Sequence, residues 1–527
     1  MSDIIFLTIQ EASEWASKKF NRRISPSNIS YLVQYGQIKK FHFNGFVKVK
    51  REDLDGYYCN QKIKEVNLQK ELGEDLNWVL SFSNLRESER TKHVHRLHPY
   101  KGKFIPQLVE YFLDTHIDKF KTETFFSPGD IIFDPFCGSG TALVQANELG
   151  IHAIGVDISE FNSLISNVKI GEHDLVKLNR EILKISRALT QFVYENKWDK
   201  FEDELSNILS EMNDKYFPAP SYRYKVRNGE INESEYVKEK ERNAKERFFE
   251  LVKEYGISIV QSTSENDFIS TWYLETVRKE IDFLKSKLNQ VYDEGTKRIL
   301  KVILSRTIRS CRATTHADLA TLIEPIHAPY YCRKHYKICK PLFSTLKWWK
   351  RYSSDTLKRL SKFKRIRTNT NQICLTGDSR SINLLQELKK FDSEFSELIE
   401  RKGIQGIFSS PPYVGLINYH EQHAYAYDLF GFKRQDEKEI GSLFRGTGQE
   451  ARDSYVEGIS KVLNNSQKYL APDFNIFLVA NDKYGLYPKI ALKSGLKIIN
   501  EFRRPVLNRT EKDKSAYSEI IFHMKRK

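Results

Sequence analysis

The residues with the strongest potential for chemistry are Ser-Pro-Pro-Tyr at positions 410–413. They follow GIFS, an apolar run with the composition of a buried strand. Two adjacent prolines remove two backbone donors and end any strand or helix. This segment is either an ordinary loop or a rigid turn. A rigid turn would hold the Ser410 hydroxyl, a backbone carbonyl and the Tyr413 ring in one fixed arrangement.

A second candidate is the glycine-containing turn in IIFDPFCGSGTALVQANEL. Gly138 and Gly140 permit backbone angles and close approaches that a Cβ would forbid, and the helix that follows directs free amides into the turn. The next strand ends at Asp157, where a carboxylate can accept hydrogen bonds from two ribose hydroxyls. This layout predicts a nucleoside cofactor. The nucleotide-binding turn of a dehydrogenase would look similar, although here Leu143 occupies the place of the third glycine of that motif. The other alternative is a purely structural turn.

Cysteine and histidine are concentrated in PYYCRKHYKICKP, residues 329–341. Cys332, His335 and Cys339 offer three ligands at a spacing that suits zinc. The candidates for a fourth ligand are Cys311, His316 and His327. The alternative is a pair of buried thiols beside a polar histidine.

The elements that must position these residues form two α/β stretches separated by a long, charged, helix-rich segment. Strand-like runs followed by helical patterns occur before residue 170 and again from QICLTGD onward. We therefore expect an α/β half over residues 98–170, a helical insertion over 171–370 and a second α/β half over 371–527.

Residues 1–60 are expected to form a separate small unit. LTIQEASEWASKKF and SNISYLVQYGQI predict two helices, and FHFNGFVKVKREDLDGYY predicts a two-stranded ribbon that turns at Asn44-Gly45. This order resembles winged helix-turn-helix modules of the excisionase type, which implies contact with DNA through the second helix and the wing. The alternative is a small capping or dimerising domain. Residues 61–97 are predicted to be a helical connector.

Composition narrows the classes of partner. The chain has 527 residues and a formal net charge of +15. Such an excess favours a polyanion partner such as nucleic acid; the alternative is a merely basic soluble protein.

The sequence also bears on location. It lacks an apolar run of about 18 residues, so no membrane span is predicted. Six cysteines are too few for a disulfide scaffold. The start, MSDIIFLTIQEASEW, contains acids that a secretory signal lacks. We therefore expect a cytoplasmic protein.

A basic and aromatic segment, KICKPLFSTLKWWKRYSSDTLKRLSKFKRIR, ends the predicted insertion. Its lysines and arginines are interleaved with Phe343, Trp348, Trp349 and Tyr352. This composition suits contact with a phosphate backbone and with sugars or bases, and it makes the insertion a candidate target-recognition region. The alternative is a solvated basic helix whose tryptophans lie in the core.

The string Asp134-Pro-Phe-Cys-Gly-Ser-Gly-Thr141 resembles the cofactor motif of S-adenosylmethionine-dependent amino-methyltransferases. KGKFIPQLVEYF, Gly377-Asp378 and the Ser-Pro-Pro-Tyr segment resemble three further elements of that family. The resemblance implies an α/β, Rossmann-like methyltransferase fold with a mostly parallel seven-stranded sheet. It also implies S-adenosylmethionine as cofactor, bound by Lys103, Phe104, Asp134, Pro135, Phe136, Cys137, Gly138, Ser139, Gly140, Thr141, Asp157, Ile158 and Asp378.

The same resemblance assigns the catalytic role to Ser410, Pro411, Pro412 and Tyr413. The exocyclic amine of cytosine or adenine is a poor nucleophile because its lone pair is delocalised into the ring. The Ser410 hydroxyl oxygen and the Pro411 carbonyl would accept its hydrogens and stabilise the developing positive charge. Tyr413 would stack on a base that has been flipped out of duplex DNA.

Serine at the first position of this segment is similar to the subclass that methylates cytosine N4. The resemblance therefore implies a site-specific DNA (cytosine-N4) methyltransferase of a restriction-modification or related defence system. Its partners would be double-stranded DNA and a cognate restriction endonuclease. The alternatives are an N6-adenine DNA methyltransferase, an RNA base amino-methyltransferase with similar motifs, and a DNA-binding regulator with a relic domain.

Overall fold

The computed structural model describes residues 5–21, 24–43, 46–72, 76–82, 85–100, 102–259, 267–316, 322–506 and 517–527. Within these ranges the strands form a seven-stranded, a three-stranded and a two-stranded sheet. None of the described helices is both long enough and apolar enough to cross a membrane.

The N-terminal unit combines two short helices with the three-stranded antiparallel sheet. Its elements are β1 (Phe6–Thr8), α1 (Ile9–Lys19), α2 (Pro26–Gln34), β2 (Phe41–Phe43), β3 (Phe46–Lys50) and α3 (Arg51–Leu72). Thr8 and Ser25 cap α1 and α2 through their side chains. The predicted Asn44-Gly45 turn lies outside the described residues. From Arg51 the chain is helical, although a strand was predicted there, and α3 runs through the boundary predicted at residue 60.

The first α/β stretch begins the large sheet. Its helices and strands are α4 (Glu87–Arg90), α5 (Pro106–Leu113), β4 (Ile131–Asp134), α6 (Thr141–Glu148), β5 (His152–Asp157) and α7 (Glu160–Ile170), with 3-10 turns at Trp78–Ser81 and His93–Arg96. All four residues of β4 are buried. A strand covered on both faces has a continuous apolar sequence, as IIF does here.

The described residues of the insertion form eight helices and one β-hairpin. Its elements are α8 (Leu175–Glu195), α9 (Trp198–Tyr216), α10 (Ser221–Arg227), α11 (Glu233–Tyr255), α12 (Phe268–Trp272), α13 (Glu275–Asn289), α14 (Glu294–Ser310), β6 (Tyr330–Cys332), β7 (Lys337–Cys339) and α15 (Leu346–Lys364). The basic segment begins in β7 and continues into α15, which packs on α8 and α14. Trp349 is fully buried and donates its indole N–H to Ser186 at 2.9 Å, whereas Trp348 is half-buried and stacks on Tyr352.

The last stretch completes the sheet. Its helices and strands are β8 (Gln372–Thr376), α16 (Leu384–Lys389), α17 (Ser393–Lys402), β9 (Ile404–Ser409), α18 (Tyr419–Gln422), α19 (Ala424–Phe430), α20 (Gln449–Ser466), β10 (Leu470–Ala480), α21 (Tyr487–Lys493), β11 (Leu496–Val506) and β12 (Tyr517–Arg526). Short 3-10 turns lie at Asp436–Lys438, Leu443–Arg445 and Gln467–Tyr469.

The strand order of the large sheet is β11-β12-β10-β9-β4-β5-β8. β12 is antiparallel to both of its neighbours, and the pairings between β10, β9, β4, β5 and β8 are parallel. The predicted mostly parallel, seven-stranded, Rossmann-like sheet is therefore confirmed. The chain moves outward from β4 to β5 and β8, then returns to β9 on the other side of β4. This reversal creates a crevice at the carboxyl ends of β4 and β9, the place where open α/β sheets bind ligands.

Candidate active site

A cleft of about 900 Å³ lies at this crevice and opens to solvent. Eleven of the predicted cofactor-binding residues line it: Lys103, Phe104, Pro135, Phe136, Cys137, Gly138, Ser139, Thr141, Asp157, Ile158 and Asp378. Asp134 and Gly140 are buried and are not among the described residues of its wall.

Both glycines of the turn between β4 and α6 have a positive φ and lie against a neighbouring side chain. Gly140, which caps α6, has a φ of +72°, and a Cβ there would lie 2.9 Å from Ser166 Oγ. Gly138 has a φ of +52°, and a Cβ there would lie 3.1 Å from the Tyr100 hydroxyl oxygen and 3.2 Å from the ring. The turn is therefore packed so closely that its backbone forms part of the cleft wall.

Asp157, at the end of β5, organises this turn. Its carboxylate accepts hydrogen bonds from the backbone N–H of Gly138 at 2.8 Å, from the backbone N–H of Ser159 at 2.8 Å and from the Asn162 side chain at 3.0 Å. Burial raises the pKa of Asp157 to about 6, although these hydrogen bonds oppose the shift. The carboxylate is thus ionised at neutral pH but gains a proton under mildly acidic conditions.

Asp134 connects the two α/β stretches beneath the cleft. The Ser409 hydroxyl donates to its Oδ1 at 2.5 Å, and the backbone N–H of Phe136 donates to the same oxygen at 3.2 Å. Burial raises the pKa of Asp134 to about 7. The contact joins the ends of β4 and β9, so Asp134 positions the turn and the Ser-Pro-Pro-Tyr segment relative to each other.

The Ser-Pro-Pro-Tyr segment leaves β9 at the rim of the cleft. Ser410 and Pro412 line the cleft, whereas Pro411 is buried beside it. Tyr413 is half-buried and outside the described cleft wall, and its hydroxyl donates to Glu519 on β12 at 2.8 Å. Glu519 in turn pairs with Arg504 on β11 at 3.1 Å. The antiparallel end of the sheet therefore fixes the orientation of the tyrosine ring.

Asp378 lines the cleft, but its carboxylate has a protein partner. Arg380 donates to both oxygens, with the shortest contact at 2.7 Å. Burial opposes ionisation of Asp378, yet the hydrogen bonds from Arg380 outweigh it and lower the pKa. A ligand amine near Asp378 would share this carboxylate with the guanidinium.

Sequence reasoning did not assign several residues of the wall. Tyr419, His420 and Glu439 line the cleft together with Tyr100. The buried Glu439 carboxylate accepts from the backbone N–H groups of Tyr419 at 3.2 Å and His420 at 2.7 Å, and it also bonds the His420 ring. Tyr419 and His420 closely follow the tetrapeptide and were open to assignment, whereas no local pattern marks Glu439.

The predicted metal ligands lie in the insertion. Cys332, His335 and Cys339 come together with His316, and the four potential ligand atoms all lie within 4.8 Å of one another. Cys311, another candidate for the fourth ligand, is fully buried and is not part of this group. None of the six cysteines forms a disulfide.

The chain is similar to known DNA methyltransferases, in one case over nearly its whole length. A family model described as a DNA methylase of the N6/N4 type matches residues 10–167. The type II methyltransferase M.MjaII of Methanocaldococcus jannaschii is 44% identical over 528 residues, which covers 98% of this chain and 96% of that protein. M.MvaI of Kocuria varians is 30% identical over 139 residues, or 26% of this chain and 27% of that protein. M.BsoBI of Geobacillus stearothermophilus is 34% identical over 105 residues, or 19% of each chain.

Proposed function

Because the chain belongs to the type II DNA methyltransferases of restriction-modification systems, we propose that it methylates the exocyclic N4 amine of cytosine in duplex DNA. The family implies S-adenosylmethionine as the methyl donor. The observation that carries the proposal is the position of Ser410 and Pro412 in the wall of the same cleft as the glycine turn. Ser410 and the proline turn thus border the space in which the donor would bind.

We propose that the glycine turn and Asp157 hold the donor. The backbone at Gly138 approaches the cleft without a side chain, and Asp157 offers the carboxylate that ribose hydroxyls require. The half-buried Phe104 adds apolar surface to the same wall. When bound, S-adenosylmethionine supplies an electrophilic methyl group next to a sulfonium charge.

Residues 410–413 would bind and activate the target amine. The Ser410 hydroxyl oxygen and the Pro411 carbonyl accept hydrogen bonds from the target amine, which favours a pyramidal nitrogen and offsets its developing positive charge. The prolines fix the direction of that carbonyl because neither can donate to a neighbouring strand. Tyr413 supplies an aromatic face for the extruded base, and its bond to Glu519 holds that face in place.

Product analysis tests the choice of base. After incubation with methyl-labelled S-adenosylmethionine and mixed-sequence duplex DNA, we expect label in N4-methylcytosine when the DNA is digested to nucleosides and separated by chromatography with mass detection. Ser410→Ala should lower the yield because one acceptor for the amine is lost. Label in N6-methyladenine would identify adenine, not cytosine, as the target base. Label in RNA alone would contradict the proposal.

The pH dependence of donor binding tests the role of Asp157. Since the ionised carboxylate is the hydrogen-bond acceptor, affinity should fall as pH decreases through about 6, by up to about tenfold per further pH unit. Titration calorimetry from about pH 8 to about pH 5 measures this. Asp157→Asn should bind the donor weakly with a flatter pH profile. Identical profiles for the wild-type chain and the variant would show that another group controls binding.

We also propose roles for the parts outside the cleft. The N-terminal unit would contact DNA through α2, whose exposed Tyr31 stacks on Tyr35 at a ring distance of 4.1 Å. The insertion would contribute target recognition through the exposed side of α15, and it would hold one structural zinc ion away from the cleft. A cognate restriction endonuclease and a cytoplasmic location complete this proposal.

A further inference from the structure

Four side chains in the insertion, His316, Cys332, His335 and Cys339, are arranged like the ligands of one metal ion. Cys332 Sγ lies 3.6 Å from His335 Nδ1 and 3.9 Å from His316 Nδ1, and Cys339 Sγ lies 3.5 Å from His335 Nδ1. In a tetrahedral site with Zn–S near 2.3 Å and Zn–N near 2.05 Å, ligand atoms are about 3.4–3.8 Å apart. The 3.5 and 3.6 Å spacings fall within this range, and the 3.9 Å spacing lies just beyond it.

The hairpin of β6 and β7, residues 330–339, forms a compact knuckle around these ligands. β6 and β7 pair through Tyr330 with Cys339 and through Cys332 with Lys337. Between them, the Cys332 carbonyl accepts from the backbone N–H groups of His335 at 3.0 Å and Tyr336 at 2.7 Å. A hairpin with three residues in each strand is only marginally stable alone, so a bound ion would contribute directly to its folding.

Two other clusters of potential ligands among the described residues lack this character. In the His93, His95 and Glu148 cluster, the ammonium of Lys92 lies 2.6 Å from a Glu148 oxygen and already neutralises the carboxylate. The His420 and Glu439 cluster belongs to the cleft and is occupied by backbone donors. Of the three, the insertion cluster is the one that contains thiols, the ligands that favour zinc.

Arg223, on α10, joins the knuckle to the N-terminal unit. Its Nε and Nη2 donate to the His335 carbonyl at 3.2 and 2.7 Å, while its Nη1 donates to the Gln34 carbonyl at the end of α2 at 2.5 Å. The guanidinium also lies 5.0 Å from the centre of the Tyr35 ring. Arg223 is 8% exposed, and a Cβ on Gly36 would lie 3.3 Å from its Cβ, so the two parts are in close contact.

We propose that His316, Cys332, His335 and Cys339 bind one structural Zn²⁺ and that this site anchors the N-terminal helix-turn-helix unit through Arg223. The ion fixes the His335 backbone, and the His335 carbonyl in turn fixes the guanidinium that holds the end of α2. The inference extends the zinc part of the proposed function. Its tests measure the metal and the docking themselves, so they can fail while methyl transfer stands.

Metal analysis of the full-length chain, purified from zinc-supplemented cells, tests the ligand set. We expect about one zinc per chain in the wild type and less than about 0.2 in Cys332→Ser or Cys339→Ser. His316→Ala should also lose zinc, whereas Cys311→Ala should keep it. Cobalt substitution should give the visible absorption of a tetrahedral, thiolate-bound ion. A wild-type chain without zinc, or equal loss in Cys311→Ala, would overturn the assignment.

Limited trypsin digestion tests the anchoring role. His335→Ala keeps the backbone carbonyl but removes a ligand, so faster release of an N-terminal fragment would arise from loss of the metal. We expect at least about a fivefold faster release in His335→Ala and in Arg223→Met, the latter with its zinc retained. Arg227→Met, an exposed position on the same helix, is the matched control. Unchanged release in both test variants would overturn the anchoring role.

Discussion

Replacing Tyr413 with alanine is expected to lower kcat at least about 100-fold while the Kd for S-adenosylmethionine changes by less than about threefold. The ring would support the extruded base, and the structure holds it through the hydroxyl bond to Glu519 at 2.8 Å. Because Tyr413 lies outside the described wall of the donor cleft, its loss should spare donor binding. Single-turnover methylation of labelled DNA and calorimetric titration of the donor measure the two quantities separately.

Tyr413→Phe is the matched control. It keeps the aromatic face but removes the hydrogen bond to Glu519, so turnover should fall only by about three- to tenfold. Thermal unfolding of both variants distinguishes a local effect from general destabilisation. A Tyr413→Ala chain that loses donor affinity and turnover in equal measure would move the residue from the base pocket to the donor pocket.

Replacing Asp157 with alanine is expected to have the opposite profile, raising the donor Kd at least about 50-fold with a smaller change in kcat at saturating donor. The substitution removes the acceptor for ribose hydroxyls. It also removes three hydrogen bonds that hold Gly138, Ser159 and Asn162. Equilibrium titration with S-adenosylmethionine, followed by turnover at saturating donor, tests this directly.

Asp378→Ala provides a comparison within the same cleft. Its carboxylate is already paired with Arg380, so its loss should weaken donor binding less than the loss of Asp157. If Asp378→Ala had the larger effect, the principal donor contacts would lie nearer β8 than β5. If both variants bound the donor normally, the cleft would have another ligand.

Local sequence signals predicted the buried strands and the glycine turn, whereas the seven-stranded sheet and the cofactor-binding residues that line the cleft were implied by the resemblance to amino-methyltransferases. The run IIF before a glycine turn has the pattern of a buried parallel strand, and Gly138 and Gly140 take the positive φ values that the turn requires. Both features depend on neighbouring residues alone. The roles of the individual wall residues stay predictions.

What sequence reasoning missed depends on contacts between distant parts of the chain. Glu519 and Glu439 meet their partners through tertiary packing, and nothing in YSEIIFHM or KEIGSLF marks an acid as functional. The same cause explains α15, where a basic and aromatic composition did not reveal which tryptophan lies in the core. At residue 51, the acids of REDLD favour the first turn of a helix and end the strand earlier than predicted.

The Asp134–Ser409 bond spans 275 positions of sequence. Closing so long a loop carries an entropic cost that helices formed from neighbouring residues do not carry. The insertion lies between these partners and can assemble its helices first, so the crevice is expected to form late in folding. During synthesis, a nascent chain that has not yet reached β9 would hold one side of the crevice and lack the other, and it would be inert towards DNA until the second side arrives.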